Sequence, residues 1–222
     1  MGDTWAVPDD QVMIPHIIRN KDEIFCGGIL APYLKAMFTA TNVNNPYHDL
    51  RHGLHVARSG YLAARYHYKD LTPREIRNVV IAAMMHDMNH SGKAKFGTDF
   101  LEIPRAIHAF EQCVMEEDRP HMDAIRTLIK VTQFPLVEME ESLSIRIIRD
   151  ADMTQSFGVA WLRQIAVGLA EEWGMEPLQI LKGQKAFLSG IMWKTEWGQK
   201  TFPPEVVQMR IDEAEDYVAL LS

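Results

Sequence analysis

Cysteine is almost missing: Cys26 and Cys113 are the only two in 222 residues, and neither sits in a CxxC or at zinc-finger spacing. That excludes a disulfide framework and a thiolate metal knuckle, and the expectation is a reducing, cytoplasmic compartment. No run of about 18 apolar residues occurs, so no membrane-spanning helix is expected. Asp3, Asp9 and Asp10 occupy the N-terminus where a secretory leader needs basic and then apolar residues. Ala6 stands where an N-myristoylation motif wants Ser or Thr. Positive charge is in deficit, with 23 Lys and Arg against 30 Asp and Glu for a net charge of −7. That argues against a nucleic-acid partner, though a small anion remains compatible wherever divalent cations invert the local field. Internal repeats, low-complexity runs and alternating strand patterns are absent too.

What remains is apolar spacing near 3.6 residues in a chain that is 47% hydrophobic, and the fold class this predicts is all-α. An irregular arm with Pro8 and Pro15 is expected over residues 1–20, followed by a single domain over 21–222. A helix is expected from Asp22 to about Ala40, weakened by Gly27 and Gly28, and the Asn42–Pro46 stretch then reads as a break. A second helix is expected to open at Tyr47 and run to Tyr68. Thr72-Pro73-Arg74-Glu75 is a capping box with proline at the first helical position, and it opens a buried helix ending near Met85. Residues 91–99, with Gly92 and Gly97, read as loop. Further helices are expected over Pro104–Glu117, from Pro120 to Phe134 and from Leu143 to Met153. Three more are expected between Phe157 and Leu221, with breaks at Gly174–Pro177 and Pro203–Pro204.

One stretch organises the chain, Met84-Met85-His86-Asp87-Met88-Asn89-His90-Ser91-Gly92, where the buried helix ends in polar side chains. Polar groups at the mouth of an apolar helix are costly to bury without partners. An isolated His-Asp pair can satisfy itself or cap its helix. Here, however, His48 and His52 lie upstream four residues apart, on one face if both are helical, and His55 follows three residues later. Downstream, Asp150 and Asp152 end another apolar run. Asp150 can pair with Arg149 or Arg146, whereas Asp152 lacks so ready an explanation. Imidazole and carboxylate ligands together suit Zn, Mn, Fe or Mg.

The order His52…His86-Asp87…Asp152 resembles the H…HD…D pattern of the HD superfamily of metal-dependent phosphohydrolases. Within it, Tyr47-His48-Asp49-x-x-His52 and His86-Asp87-x-x-His90-x-Gly92 are similar to the YHNxxH and HDxxHPG motifs of class I cyclic nucleotide phosphodiesterases. Ala151-Asp152-Met153 and Gln184-Lys185-Ala186-Phe187-Leu188 resemble that family's Ala-Asp-Leu and Gln-x-Gly-Phe-Ile, and the combined likeness spans most of residues 47–197. It implies a compact, microbial-type multi-helix HD bundle with a metal site between its helices. By that resemblance His52, His86, Asp87 and Asp152 hold the tighter ion, usually Zn. Asp87 also reaches a second, usually Mg or Mn, with Fe an option, and a hydroxide between them attacks phosphorus. His48 is then the general acid, Glu111 and His90 support it and metal-bound waters, Gln184 bonds the base, and Phe187 stacks on it. Tyr47 lies in the same motif, and Gln155 occupies the position of a base-contacting Asn.

The sequence departs from the family's pattern at Asp49, Ser91 and His55, and its interval from Asp152 to Gln184 is short. The implied reaction is hydrolysis of cyclic AMP or cyclic GMP to the 5′-monophosphate, with a small-molecule nucleotide as substrate and neither nucleic acid nor membrane as partner. A nucleotidase or other phosphomonoesterase shares the metal site without the base clamp. A di-iron oxygenase would draw extra ligands from His90 and His108, and a non-catalytic nucleotide sensor would have no use for His48.

Overall fold

The helices that open at Leu50, Pro73, Leu143 and Glu196 each follow a residue whose side chain caps them: Asp49, Thr72, Ser142 and Thr195. The computed structural model describes residues 17–18, 29–93, 101–133 and 141–222, and among these it is all-helical with no strand. Ten α-helices follow one another: α1 (Ala31–Thr39), α2 (Leu50–Tyr66), α3 (Pro73–Met85), α4 (Ile103–Cys113), α5 (Met122–Lys130), α6 (Leu143–Met153), α7 (Ala170–Trp173), α8 (Pro177–Ser189), α9 (Glu196–Thr201) and α10 (Pro204–Leu221). Two 3₁₀ segments, Glu116–His121 and Thr154–Phe157, and a π-helix, Leu162–Leu169, complete the order.

Helix α3 is the axis of the larger core. It opens on the capping box foreseen at Thr72 and Glu75, and every residue from Ile76 to Met85 is buried. Helices α2, α5 and α6 pack around it. A smaller apolar cluster joins Trp161, Ile165 and Ala166 to Ile180 and Leu181 of α8 and Ala214 of α10. The candidate site lies where the two clusters face each other.

Several boundaries differ from the sequence expectation for identifiable reasons. Helix α2 begins at Leu50, because the Asp49 carboxylate caps it by accepting the His52 N–H at 2.9 Å. His48 therefore precedes the helix, and it does not share a helical face with His52. Helix α4 stops at Cys113 as Val114 turns extended, and Pro120 lies inside the 3₁₀ segment instead of opening a helix. The C-terminal third holds four α-helices and the π-helix where three helices were expected. The expected arm over residues 1–20, except buried Ile17 and Ile18, and the first turns expected from Asp22 lie outside the described residues.

One buried ion cluster ties three elements together. Asp118, fully buried in the 3₁₀ segment, accepts from Arg77 at 2.7 and 2.8 Å, from Arg74 at 2.6 Å and from the Tyr33 hydroxyl at 2.8 Å. Fully hydrogen-bonded ion pairs of this kind tolerate burial; broken ones do not.

Candidate metal centre

Three separate elements deliver the side chains that could hold a metal ion. His52 comes from the first turn of α2, His86 and Asp87 from the C-terminal end of α3, and Asp152 from the last turn of α6. The His52 Nε2 lies 3.1 Å from Asp87 Oδ2 and 3.4 Å from Asp152 Oδ1. The His86 Nε2 lies 3.0 and 3.3 Å from the same two oxygens, and the two Nε2 atoms are 3.3 Å apart. Four atoms that all carry lone pairs thus converge on one point. His86 Nδ1 donates to the Ala83 carbonyl at 2.9 Å, which in the neutral ring leaves Nε2 as the ligand atom.

Such a cluster holds together only with protons or a cation at its centre. With protons, burial pushes His52 down, but hydrogen bonds to Asp152 and Asp87 override it and raise its pKa to about 9. Burial likewise opposes the shift at His86, which the Asp87 and Asp152 charges carry well upward. Burial would raise Asp152, yet His86 and His52 bring it down to about 2. With a cation, ligand bonds of about 2.0–2.2 Å around a tetrahedron predict ligand-to-ligand edges of about 3.3–3.6 Å. The observed separations lie at and slightly below that range. His52, His86 and Asp87 form a group able to hold a metal ion, and Asp152 faces the same point.

A second cluster adjoins the first. The Glu172 Oε1 accepts both the Tyr47 and the His48 backbone N–H at 2.9 Å, while Oε2 takes the His48 Nδ1 proton at 2.6 Å. Burial opposes charge on His48, but Asp87 and the Glu172 hydrogen bond together raise its pKa. The His48 ring stacks on His90 with centroids 3.9 Å apart. His90 Nδ1 accepts the Gly92 N–H at 3.1 Å, and its Nε2 is buried without a hydrogen-bond partner among the described residues. Burial, reinforced by the His48 charge, lowers the His90 pKa to about 4, so this ring is neutral near pH 7. His48, His90 and Glu172 form a further group with metal-binding spacing.

The turn expected at Asn42–Pro46 does more than break a helix. The Asn42 amide donates to the carbonyls of both His48 and Asp87, at 2.8 and 2.9 Å, and so pins the two motif loops together. Its Oδ1 accepts the backbone N–H of Asn89, a residue held in the left-handed region at φ 61°. Asparagine tolerates that conformation better than most residues. Gly92 is left-handed as well, and a Cβ there would meet the Asn45 side chain at 2.8 Å.

Both clusters open on a cavity of about 540 Å³. Its lining includes Tyr47, His48, His52, Asp87, His90 and Asp152 at one side, and Gln155, Ile165, Trp173, Gln184 and Phe187 elsewhere. Gln155 Nε2 bonds Gln164 Oε1, and Gln184 Nε2 reaches the Ile180 carbonyl at 3.4 Å. Both leave a buried amide oxygen without a hydrogen-bond partner among the described residues.

Ten of the eleven site residues expected from sequence are brought together here, including His86, which touches the cluster from beneath the cavity lining. Glu111 is the correction. It sits on α4 outside the cavity lining, and its carboxylate is taken by Arg126 at 2.6 and 2.8 Å. Two buried glutamates that the sequence reading passed over stand closer. Glu172 holds His48, and Glu102 lines the cavity while accepting the Ser91 N–H and hydroxyl at 3.0 and 2.8 Å. His55 bonds the Thr154 hydroxyl at 2.9 Å and is not a cavity residue, and His108 is exposed. Asp150 caps the chain at Lys194 and Thr195 instead of pairing with a neighbouring arginine. Comparison with protein-family profiles and with curated proteins finds no match for this chain.

Proposed function

We propose that the chain is a metal-dependent phosphodiesterase of the HD kind that opens a 3′,5′-cyclic nucleotide to its 5′-monophosphate. The observation that carries this reading is the pairing, in one cavity, of the His52/His86/Asp87/Asp152 cluster with a separate imidazole, His48, held by a carboxylate of its own. A metal-only binding site has no chemical use for the second device; a hydrolase with a poor leaving group does.

His52, His86, Asp87 and Asp152 would hold the tighter divalent ion, Zn in the reading favoured here, and Asp87 would share a second, Mg or Mn. When bound, these ions supply Lewis acidity that activates water and offsets phosphate charge. The remaining chemistry belongs to the chain. His48 donates Nδ1–H to Glu172, so its Nε2 is free to carry the proton that the leaving 3′ oxygen needs. As the phosphorus–O3′ bond breaks and water oxygen bonds phosphorus, that proton passes to O3′, and the water's surplus proton restores the imidazolium. The neutral His90 ring packs on the face of His48 and limits its rotation. Gln184 and Gln155 offer amide groups, and Phe187 a ring face, to the base.

The test combines metal analysis with a product assay on cyclic AMP and cyclic GMP in Mg or Mn. Release of the 5′-monophosphate is expected. A metal-loaded protein that opens neither nucleotide overturns the reading, and cleavage of phosphomonoesters instead would make it a nucleotidase.

A further inference from the structure

The π-helix Leu162–Leu169 runs directly into α7, which carries Glu172. π-Helical turns are rare and are frequently found at functional sites. Gly168 lies one turn before Glu172 and faces the turn that bears His48. A Cβ built on Gly168 would stand 2.3 Å from the Pro46 carbonyl oxygen and 3.0 Å from its carbon. Both are backbone atoms, so no flexible side chain can yield to a larger residue. Immediately after Pro46, the N–H groups of Tyr47 and His48 both meet Glu172 Oε1 at 2.9 Å. The two backbones are therefore in contact at Gly168, and one turn later the Glu172 carboxylate joins the segments by accepting three hydrogen bonds, from two backbone N–H groups and the His48 ring.

We propose that Gly168 is a positioning residue: its missing side chain lets the π-helix close on Pro46, and this approach sets the Glu172 carboxylate under the Tyr47–His48 turn and aims His48 into the cavity. The inference rests on the reading of His48 as proton donor. Any side chain at position 168 pushes α7 outward and lengthens the contacts to Glu172. The metal-binding cluster is untouched, because none of its residues lies on α7 or the π-helix.

The experiment is the variant Gly168→Ala, assayed on a cyclic nucleotide and on bis(p-nitrophenyl) phosphate. The first has an alkoxide leaving group that needs a proton; the second releases a phenolate that does not. The expected result is a fall of about 10²-fold in kcat for the cyclic nucleotide, with KM, bound metal and the p-nitrophenyl rate near wild type. Equal losses on both esters, or no loss, overturn the proposal. The double variant Gly168→Ala/Glu172→Gln is expected to be no slower than Glu172→Gln alone, since both act through one contact. If Gly168→Ala does not fold, Pro46→Gly, which frees the same carbonyl without adding an atom, is expected to give the same ester-selective loss. If the wild-type protein cleaves neither ester, the proposed function has failed and not this contact. Proton NMR then decides: a downfield His48 Nδ1–H signal in wild type that is lost in the glycine variant supports the positioning role, and its persistence refutes it.

Discussion

Half-buried His48 and buried His86 stand at the same acidic cluster, and what separates them is the group each Nδ1 donates to. His86 donates to a backbone carbonyl, which leaves its Nε2 a ligand atom; His48 donates to the Glu172 carboxylate, which stabilises the charged ring. His86→Ala or His52→Ala is accordingly expected to lose bound metal and all turnover. His48→Ala is expected to keep its metal and lose turnover by about 10²–10⁴-fold. Metal analysis by atomic emission beside the product assay checks the contrast, and loss of metal from His48→Ala would make His48 a ligand. The convergence of His52, His86, Asp87 and Asp152 was legible because their types and order are themselves the signal. The glutamates were not. Glu111 looks plausible one turn from His108, yet Arg126 from the next helix claims it. Glu172 lies 124 residues from His48 in an unremarkable Glu-Glu pair, and no local pattern distinguishes it from a solvated glutamate.

At the level of elements, legibility followed the range of the interactions that set each boundary. The α3 N-terminus was readable because Thr72 and Glu75 bond each other across three residues. The π-helix was not, since Gly168 within it packs on the Pro46 backbone, far away in sequence. The 3₁₀ segment before α5 depends on a distant partner as well, because Asp118 holds it to α3 and α1 through Arg77, Arg74 and Tyr33. Burial would raise the Asp118 pKa, but hydrogen bonds from Arg77 and Tyr33 bring it below the usual carboxylate range. A depressed folded pKa stabilises the protein above the unfolded value of about 3.9, and that stabilisation is lost as pH falls through the lower folded value. Asp118→Asn removes the buried charge that Arg77 and Arg74 both bond and is expected to cost about 3–5 kcal/mol at pH 7. Urea unfolding at pH 7 and pH 3 checks this: the gap between variant and wild type must narrow at the lower pH, and a constant gap would remove the ion pair as its cause.

For the molecule as a whole, the all-helical class followed from periodicity alone, while the meeting of three helices at one point required the resemblance or the coordinates. That meeting would make a bound metal a structural cross-link as well as a chemical one, since the candidate ligands come from α2, the end of α3 and α6. A cation that binds only the folded chain at a hundred times its Kd adds about 2.7 kcal/mol, which for a chain of this size is a rise in Tm of roughly 5–10 °C. The rise must also depend on pH. In protein stripped by a chelator, His52 keeps its proton up to about pH 9, against about 6.5 in the unfolded chain. That protonation stabilises the stripped fold fully below pH 6.5, and the contribution is lost as pH rises through about 9. A metal ion must displace the same proton, so its affinity increases over the interval in which the stripped protein weakens. Thermal melts of stripped and reloaded protein at pH 6, 7 and 8 are therefore expected to diverge as pH rises, with proton release on metal addition at pH 7 in weakly buffered solution. A gap that shrinks with pH, or metal binding without proton release, would mean that the ion does not displace the His52 proton, and the four-residue cluster would then be an ion-pair network that supports the fold without metal.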